Sequence, residues 1–407
     1  MPGAATRGNT PRSPSGGFVR EAADMGPQGT GRFDMPASER PTIQPQRLRQ
    51  LLRKMVDIYS PTGKEEDLIS FLQGYLKRHG LPAVRQSVDE DRDNLVVEPD
   101  DVKADLVLVG HVDTVLAYDL EQYFFRQEED EAFGLGTADM KGGCAAMIEA
   151  YMTLWEAGYT NLPVALAMVV GEEEEGDGAS RLVREFDFTG AIVGEPTHLE
   201  PCLSHYGYLE MQLTTGGRRV HASMAKLGRN AVTPMLKLLL KYAAHLDKSP
   251  HEPVYNIRDL ASSRSGFAVP DFCEAWVDMH LPAGAPMGEI TAELEELLAK
   301  EQDASPSSEL GIQFNTIHAG YKLPEKGPLV ETLKKVYAQH GLPFVPTSFR
   351  SHSDANILWA AGVKPILIGP GFLERAHTPT ESIDLNEVYA AAQLYVDIAL
   401  DYAERMA

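Results

Sequence analysis

Apolar residues along the chain follow two kinds of spacing, which together predict an α/β architecture. From about Pro41 they recur three and four residues apart, as on one side of a helix. Short continuous runs of Val, Ile and Leu follow at residues 106–109, 164–170, 191–193 and 366–368. Such runs are typical of strands that are buried on both faces, and helical stretches separate them. We therefore predict a mixed, mostly parallel sheet flanked by helices.

The pattern changes between about Leu203 and Phe314, where the predicted strands alternate apolar and polar residues. This change indicates a separate α+β insert. The α/β pattern resumes near Leu329, so the first domain would be discontinuous in sequence. The predicted segments are a disordered tail at 1–40, the first part of the α/β domain at 41–202, the insert at 203–315 and the second part of the α/β domain at 316–407.

Composition disfavours two classes of protein. Of the 407 residues, 43% are hydrophobic and 24% are charged, which is ordinary for a globular chain. The chain has no apolar run near the ~20 residues that span a bilayer. The formal net charge of -22 disfavours nucleic acid, because contacts to phosphates need clustered Lys and Arg. We therefore expect no membrane span and no nucleic-acid partner.

The cysteines and the N-terminal segment bear on the location of the protein. Three widely spaced cysteines indicate neither a disulfide framework nor a CxxC metal site, which favours the reducing cytoplasm. The first 40 residues are rich in Gly, Pro, Ser and Arg, and they lack the apolar core of a secretory signal. A disordered tail is the favoured interpretation. An organelle transit peptide is the alternative, because three arginines precede the first acidic residue.

Residues that can bind metal ions follow the ends of the predicted strands. His111 comes directly after one apolar run and Glu195 after another, and residues 172–175 are four consecutive glutamates after a third. Asp139 precedes a predicted helix, and His377 follows the last apolar run. Open α/β sheets bind their ligands at the carboxyl ends of strands, so we expect these side chains to meet.

Each of these residues has a simpler interpretation when it is taken singly. Asp139 can cap the helix after it, the glutamates can form a solvated loop, and His111 can be a surface residue. The order His, Asp, Glu, Glu, His favours a metal centre, because cations would compensate concentrated negative charge at the end of a buried strand. Asp139 would then bridge two ions, and Asp113 would orient the imidazole of His111.

The motifs around these residues resemble the metallopeptidase family that includes acetylornithine deacetylase, succinyl-diaminopimelate desuccinylase, aminoacylase and glutamate carboxypeptidase. The resemblance covers about residues 42–405 and includes His-Val-Asp at 111–113, Thr-Ala-Asp-Met-Lys-Gly-Gly at 137–143 and Glu-Pro-Thr at 195–197. It implies two zinc ions per chain, with cobalt or manganese as substitutes. It assigns His111 and Glu195 to one ion, Glu174 and His377 to the other, and Asp139 to both.

The resemblance also implies a general base beside the metal ligands. Four consecutive glutamates permit three adjacent pairs, and the family spacing to Gly-Asp-Gly-Ala at 176–179 places the pair at Glu173 and Glu174. Glu173 would then be the base and Glu174 the ligand. Pairs at 172–173 and at 174–175 are the alternatives.

The insert resembles the lid and dimerisation domain of the same family, which implies a homodimer. His221 resembles a residue that reaches the substrate carbonyl across the dimer, and Asn230 resembles one that holds the substrate. His280 departs from the family, which often carries Asp-x-Arg at this place to bind the substrate carboxylate. Arg350 is the candidate that would compensate.

These observations predict a cytoplasmic two-metal amidohydrolase that removes an acyl group from an N-acyl amino acid, similar to acetylornithine deacetylase. The family implies attack by metal-bound hydroxide, with Glu173 as the proton carrier and His221 as a stabiliser of the oxyanion. The substrate would be a small molecule or a short peptide. The alternatives are an aminopeptidase, dipeptidase or carboxypeptidase of the same two-zinc type, and a non-enzymatic binding protein of the same fold.

Overall fold

The computed structural model describes residues 40–117, 120, 123–264, 266–306 and 308–407, and the described residues up to Met406 form one compact unit. The predicted tail at residues 1–40 lies, apart from Arg40, outside the described residues. In the described part of the chain the helices are α1 (Pro45–Asp57), α2 (Glu66–Arg78), α3 (Gly142–Glu156), α4 (Asp177–Glu185), α5 (Val232–Leu246), α6 (Met287–Ala304), α7 (Pro328–Gln339), α8 (Asp354–Ala360) and α9 (Leu385–Met406).

The strands are short, except in the middle of the chain. They are β1 (Val84–Ser87), β2 (Asp93–Val97), β3 (Leu106–His111), β4 (Arg126–Glu128), β5 (Glu131–Phe133), β6 (Val164–Val169), β7 (Gly190–Val193), β8 (Cys202–His205), β9 (Gly207–Gly216), β10 (Val254–Ser262), β11 (Phe272–Leu281), β12 (Glu309–His318), β13 (Tyr321–Lys322), β14 (Thr347–Phe349), β15 (Lys364–Leu367) and β16 (Ser382–Asp384).

The large sheet is mixed, as predicted, and its parallel centre positions the candidate ligands. Its order is β1-β2-β6-β3-β7-β15-β8-β13, with β14 beside β8. Strands β6, β3, β7 and β15 pair in parallel, and antiparallel strands flank them. Every residue of β3, β6 and β7 is buried, which accounts for their continuous apolar sequences. The carboxyl ends of these parallel strands therefore meet at one edge of the sheet.

Helices cover the sheet and complete the predicted α/β arrangement. Helix α3 packs against α9 and α1, and almost all of its residues are buried. Strands β16, β5 and β4 form a small sheet that is separate from the large one. Among the described helices, none combines the length and the apolar character that crossing a bilayer requires.

A second, antiparallel sheet lies in the predicted insert, with the order β10-β11-β9-β12. Residues of β9 are alternately buried and half-buried, as the alternating sequence predicts. The buried side packs against apolar residues of α5 and α6 and forms a core of its own. The domain limits at residues 203 and 315 stay a prediction.

A buried ion pair joins α1 to α3, the helix that follows Asp139 in the chain. The Arg47 guanidinium donates to both oxygens of Glu149, at 2.7 and 2.9 Å, and Glu149 is fully buried. The backbone N–H of Gln44 donates to the same carboxylate at 2.7 Å. Removing one partner of such a pair leaves a buried charge without its counterion, which is strongly destabilising.

We expect Arg47→Met to lower the free energy of unfolding by about 3 kcal/mol, because Glu149 keeps its burial and loses its counterion. Urea unfolding followed by circular dichroism measures the change. Arg53→Met is the matched control, since Arg53 is 65% exposed and its pair with Asp57 spans 3.5 Å. The control should cost below about 0.5 kcal/mol, and equal costs for the two variants would contradict the role of the buried pair.

Candidate metal centre

His111 is the last residue of β3, and its imidazole is buried at the edge of the sheet. Its Nδ1 lies 3.1 Å from the backbone oxygen of Asp113 and 3.6 Å from the carboxylate Oδ1 of that residue. Donation from Nδ1–H to the closer oxygen leaves Nε2 to bind a metal ion. The Nε2 atom lies 3.2 Å from Asp139 Oδ1, 3.7 Å from Glu172 Oε2 and 3.9 Å from Glu195 Oε1.

Asp139 lies between the two predicted histidine ligands. Its Oδ1 faces His111, and its Oδ2 lies 3.4 Å from His377 Nε2. The Asp139–Met140 peptide bond is cis. A carboxylate with one oxygen towards each imidazole has the placement that a bridge between two metal ions needs.

His377 completes the opposite side of the centre. Its Nε2 lies 3.0 Å from Glu173 Oε2, and half of its side chain is exposed. The residue has a φ of 57°, in the left-handed region that non-glycine residues rarely adopt. A conformation of this kind is kept only where the surroundings determine it, and such residues cluster at functional sites.

Asp113 sets which glutamates enter the centre. Its Oδ1 accepts the backbone N–H of Glu172 at 3.2 Å, and its Oδ2 accepts that of Glu173 at 3.0 Å. These bonds turn the first two glutamates of the run inward, whereas Glu174 and Glu175 are exposed. The structure therefore places Glu172 beside His111 and Glu173 beside His377, one residue earlier than the predicted pair of Glu173 and Glu174.

The physical reason for this difference is a contact between distant parts of the chain. Counting back from the Gly-Asp-Gly-Ala sequence assumes a fixed number of residues between β6 and α4. Asp113, which follows a different strand, fixes the turn instead by accepting two consecutive N–H groups. This geometry favours the pair at 172–173, which the sequence left as an alternative, and the assignment of base and ligand stays a prediction.

Glu195 reaches the centre because β7 and α3 approach closely. It is 3% exposed and follows Gly194 at the end of β7. A Cβ atom added at Gly143 would lie 2.1 Å from the backbone oxygen of Gly194, so only glycine fits at that position. The glycine pair after Asp139 thus brings the start of α3 against the strand that carries Glu195.

The charges of the centre attract a cation. Burial raises the pKa values of the Glu172 and Glu195 carboxyls well above their usual range. Burial alone would lower the pKa of His111, but the neighbouring carboxylates, Glu172 first, raise it well above its usual value. Hydrogen bonds to Asp139 and Glu173 raise the pKa of His377 to about 11. A bound cation would favour the ionised form of these crowded carboxyls and the neutral form of the imidazoles.

The donor atoms fit a divalent metal ion. Atoms of His111, Asp139 and Glu173 lie within 4.8 Å of one another, and Glu195 and His377 border the same group. Imidazole nitrogens mixed with carboxylate oxygens suit Zn²⁺, while cobalt and manganese accept the same donors.

Glu381 is a contributor that the sequence prediction missed. Its Oε1 accepts the backbone N–H groups of Ala138 and Asp139, at 2.9 and 3.0 Å, and its Oε2 accepts that of Gly136 at 2.9 Å. These bonds hold the loop that carries Asp139. The available signal was an acidic residue four positions after His377, which spacing alone did not connect to the loop.

The other predicted site residues lie apart from the ligands. His221 is exposed, and its Nδ1 lies 2.8 Å from Ser223 Oγ. Asn230 Oδ1 accepts the backbone N–H of Val232 at the start of α5, and Arg350 is exposed. Within the described residues, none of the three bonds to the proposed ligands. His280 is half-buried on β11.

A shallow recess, open to solvent, borders the centre at His377. Its lining is mixed: Arg126, Thr378 and Glu381 contribute polar groups, and Val115, Leu116, Leu135 and Pro379 contribute apolar ones.

Comparisons with known proteins match most of the chain. The model of peptidase family M20/M25/M40 matches residues 107–401. Acetylornithine deacetylase of Edwardsiella ictaluri is 27% identical over 363 residues, which are 84% of this chain and 92% of that protein. A probable carboxypeptidase of Aspergillus terreus is 28% identical over 373 residues, 84% of this chain and 83% of that protein.

A solved structure has the same fold. The crystal structure of aminopeptidase PepT from Bacillus cereus superposes with a TM-score of 0.70 at 20% identity. The superposition covers 89% of this chain and 99% of that one. The similarity therefore extends over the large sheet and the antiparallel sheet of the insert.

The register of the glutamates gives a direct test. We expect Glu173→Ala to lose about one zinc ion per chain, because a ligand beside His377 disappears, and Glu174→Ala to keep the full zinc content. Mass spectrometry of the metal after gel filtration measures both. Glu174 is the matched control, since it is the neighbouring glutamate and is exposed. Loss of zinc from the Glu174 variant alone would restore the predicted pair of Glu173 and Glu174.

Proposed function

The chain belongs to peptidase family M20/M25/M40 and is a hydrolase of amide bonds, and from this premise we propose that it removes an acyl group from an N-acyl amino acid. The observation that carries the proposal is the placement of Glu172, a buried carboxylate that lies beside the ligands without bridging the two histidines. A hydrolytic metal centre needs such a group to move protons.

We propose that two metal ions occupy the centre. His111 and Glu195 would hold one, Glu173 and His377 the other, and Asp139 both; the distances around the two imidazoles support this division. When bound, such ions polarise a carbonyl and lower the pKa of water, which supplies a nucleophile near neutral pH. Asp113 contributes by orienting the glutamates and by lying beside His111.

Glu172 is the proposed general base, in place of Glu173. Its side chain would accept a proton from the attacking water and later donate it to the leaving nitrogen. The carboxyl lies within reach of the ligand shell, since its Oε2 is 3.7 Å from His111 Nε2. Because 8% of the residue is exposed, bulk water has little access to compete for that proton.

The insert would supply the remaining groups as part of a homodimer. We propose that His221 of one protomer donates a hydrogen bond to the developing oxyanion at its partner's centre, with Asn230 helping to hold the substrate. The exposure of both residues supports a role at a surface that meets another chain. The recess beside His377 would take the acyl group, because it borders the proposed ligands and part of its lining is apolar.

Peptide hydrolysis is the second candidate function. The probable carboxypeptidase of Aspergillus terreus matches this chain at 28% identity, against 27% for the acetylornithine deacetylase. Both reactions cleave an amide bond, so they would use the same centre. The complete set of proposed ligands, together with Glu172, argues against a non-enzymatic binding protein.

A substrate screen tests the proposal. We expect the zinc-loaded chain to release free amine from N-acetyl amino acids, and we expect Glu172→Gln to lower kcat by at least about a hundredfold while keeping its zinc, because the amide cannot accept the proton. Dipeptides and aminoacyl anilides form the other arms of the screen. Hydrolysis of those substrates alone would favour the peptidase, and an active Glu172→Gln variant would remove Glu172 from the role of base.

Mixed dimers test the contribution of His221. Glu172→Gln and His221→Ala should each be nearly inactive, and their mixture should recover roughly a quarter of wild-type activity, because half of random dimers are mixed and each has one complete centre. A mixture of Glu172→Gln with Glu173→Ala is the control. Each of these changes disables the centre of the protomer that carries it, so a mixed dimer has no complete site. Mixed dimers that form, by co-purification of two tags, yet stay inactive would contradict donation across the dimer.

A further inference from the structure

Three aromatic rings form a row across the second sheet. His280 on β11 and His318 on β12 both pair with Tyr208 on the strand between them, β9. Side chains at directly paired positions of neighbouring strands lie on the same face and contact one another. The rings of Tyr208 and His280 have centroids 5.3 Å apart. The row lies on the half-buried face of the sheet, opposite the face that packs against α5 and α6.

A β-bulge creates this row. The pairing of β12 with β9 shifts by one residue between Phe314 and Thr316. Continuing the register that precedes the shift would place Ile317 opposite Tyr208, and the bulge places His318 there instead. The rings are therefore aligned by a specific irregularity of the sheet.

His352 connects the row to the candidate metal centre. Its Nε2 lies 2.6 Å from His318 Nδ1, and its ring is tilted by 44° against that of Tyr208, with the centroids 5.0 Å apart. On its other side, Nδ1 lies 3.8 Å from Glu172 Oε1. The four rings, Tyr208, His280, His318 and His352, are called the imidazole row below. It leads from the second sheet to the proposed general base.

Burial favours the neutral form of the histidines in the imidazole row, because it lowers the pKa values of His280, His318 and His352. The acidic and basic side chains around the row are Asp278, Glu210, Glu172 and Arg258.

Arg258, the cation among these neighbours, is already paired with carboxylates and is not available to bind an anionic group of a substrate. Tyr208 donates to Asp278 at 3.3 Å, and Arg258 lies 3.3 Å from Asp278 and 3.0 Å from Glu210. One guanidinium is thus held between two carboxylates. A carboxylate buried beside these groups would lose its water without gaining a counterion from them.

His280 has a hydrogen-bonding atom that is not used within the described structure. Its Nδ1 is buried and has no partner there. Buried polar atoms of folded proteins are nearly always paired, so an unpaired one calls for an explanation. A ligand group that bonds to Nδ1 would supply the missing partner.

We propose that the imidazole row is a specificity subsite that binds an uncharged hydrogen-bonding group of the substrate, such as a carboxamide, in preference to a free carboxylate. The inference rests on the proposed function, since Glu172 donates its proton to the leaving nitrogen and the amine half of the substrate must therefore lie on the side of Glu172. The row is the polar surface next to Glu172 that continues away from the metal ligands.

Binding and turnover of three matched compounds test this subsite. N-acetylalanine, N-acetylalaninamide and N-acetyl-1,2-diaminopropane share a skeleton and carry an anionic, a neutral and a cationic group at the same place. We expect the amide to bind zinc-loaded Glu172→Gln at least about tenfold more tightly than the acid by calorimetry, and wild type to show the same order in kcat/KM. Tighter binding of the acid or of the amine, or no binding of the amide at millimolar concentration, overturns the proposal.

The two readouts separate this inference from the proposed function. Preferential binding of the amide without hydrolysis of any compound would contradict the deacylase function and support the subsite. Hydrolysis with preference for the acid would support the deacylase function and overturn the subsite.

A charge substitution tests whether His280 determines the preference. His280→Arg supplies the missing cation, so we expect the acid-to-amide ratio of kcat/KM to rise at least about tenfold, mainly through KM. His280→Gln keeps an uncharged hydrogen-bonding group and should still prefer the amide. His245→Arg adds the same charge at a partly exposed position on α5 and should leave the ratio unchanged. A folded, zinc-replete His280→Arg variant with the wild-type ratio would overturn the role of His280.

Discussion

Four carboxylates share one buried edge of the large sheet with two imidazoles, and the surrounding structure is organised around this concentration of charge. Asp139, Glu172 and Glu195 are each less than 10% exposed, and Glu173 lies against His377. Buried like charges are tolerated only where cations or hydrogen-bond donors compensate them. Parallel strands produce the convergence, because their carboxyl ends meet at one edge and each is followed there by a polar residue.

Backbone N–H groups supply much of the local organisation. Asp113 accepts two of them from the glutamate turn, and Glu381 accepts three from the loop of Asp139. Each of these acids shapes a loop that carries a proposed ligand, so the ligands are positioned by other acids of the same site. Some acids of the site therefore lie where they could bind a cation, and others hold the loops in place.

The sequence allows prediction of those side chains whose positions depend on a single strand. His111 and Glu195 come directly after apolar runs, and parallel pairing then brings them together. The alternating pattern of β9 likewise predicted a half-exposed strand in the insert. The positions of Glu172 and Glu381 did not follow from the sequence, for a common reason. Their places depend on hydrogen bonds between residues far apart in sequence, and residue spacing within one segment contains no information about such bonds.

The imidazole row illustrates the same limit in the second sheet and adds a consequence for specificity. Its three strands are visible as alternating patterns, but which residues face Tyr208 depends on pairing register, and a shift of one residue reverses the faces of a strand. The bulge in β12 makes that choice by exchanging Ile317 for His318. An apolar residue there would leave His352 Nε2 without the nitrogen of His318. With His318 in place, polar rings continue from Glu172 into the second sheet, and under the proposed function they would discriminate the charge of a substrate whose amide bond is cleaved at the metal centre.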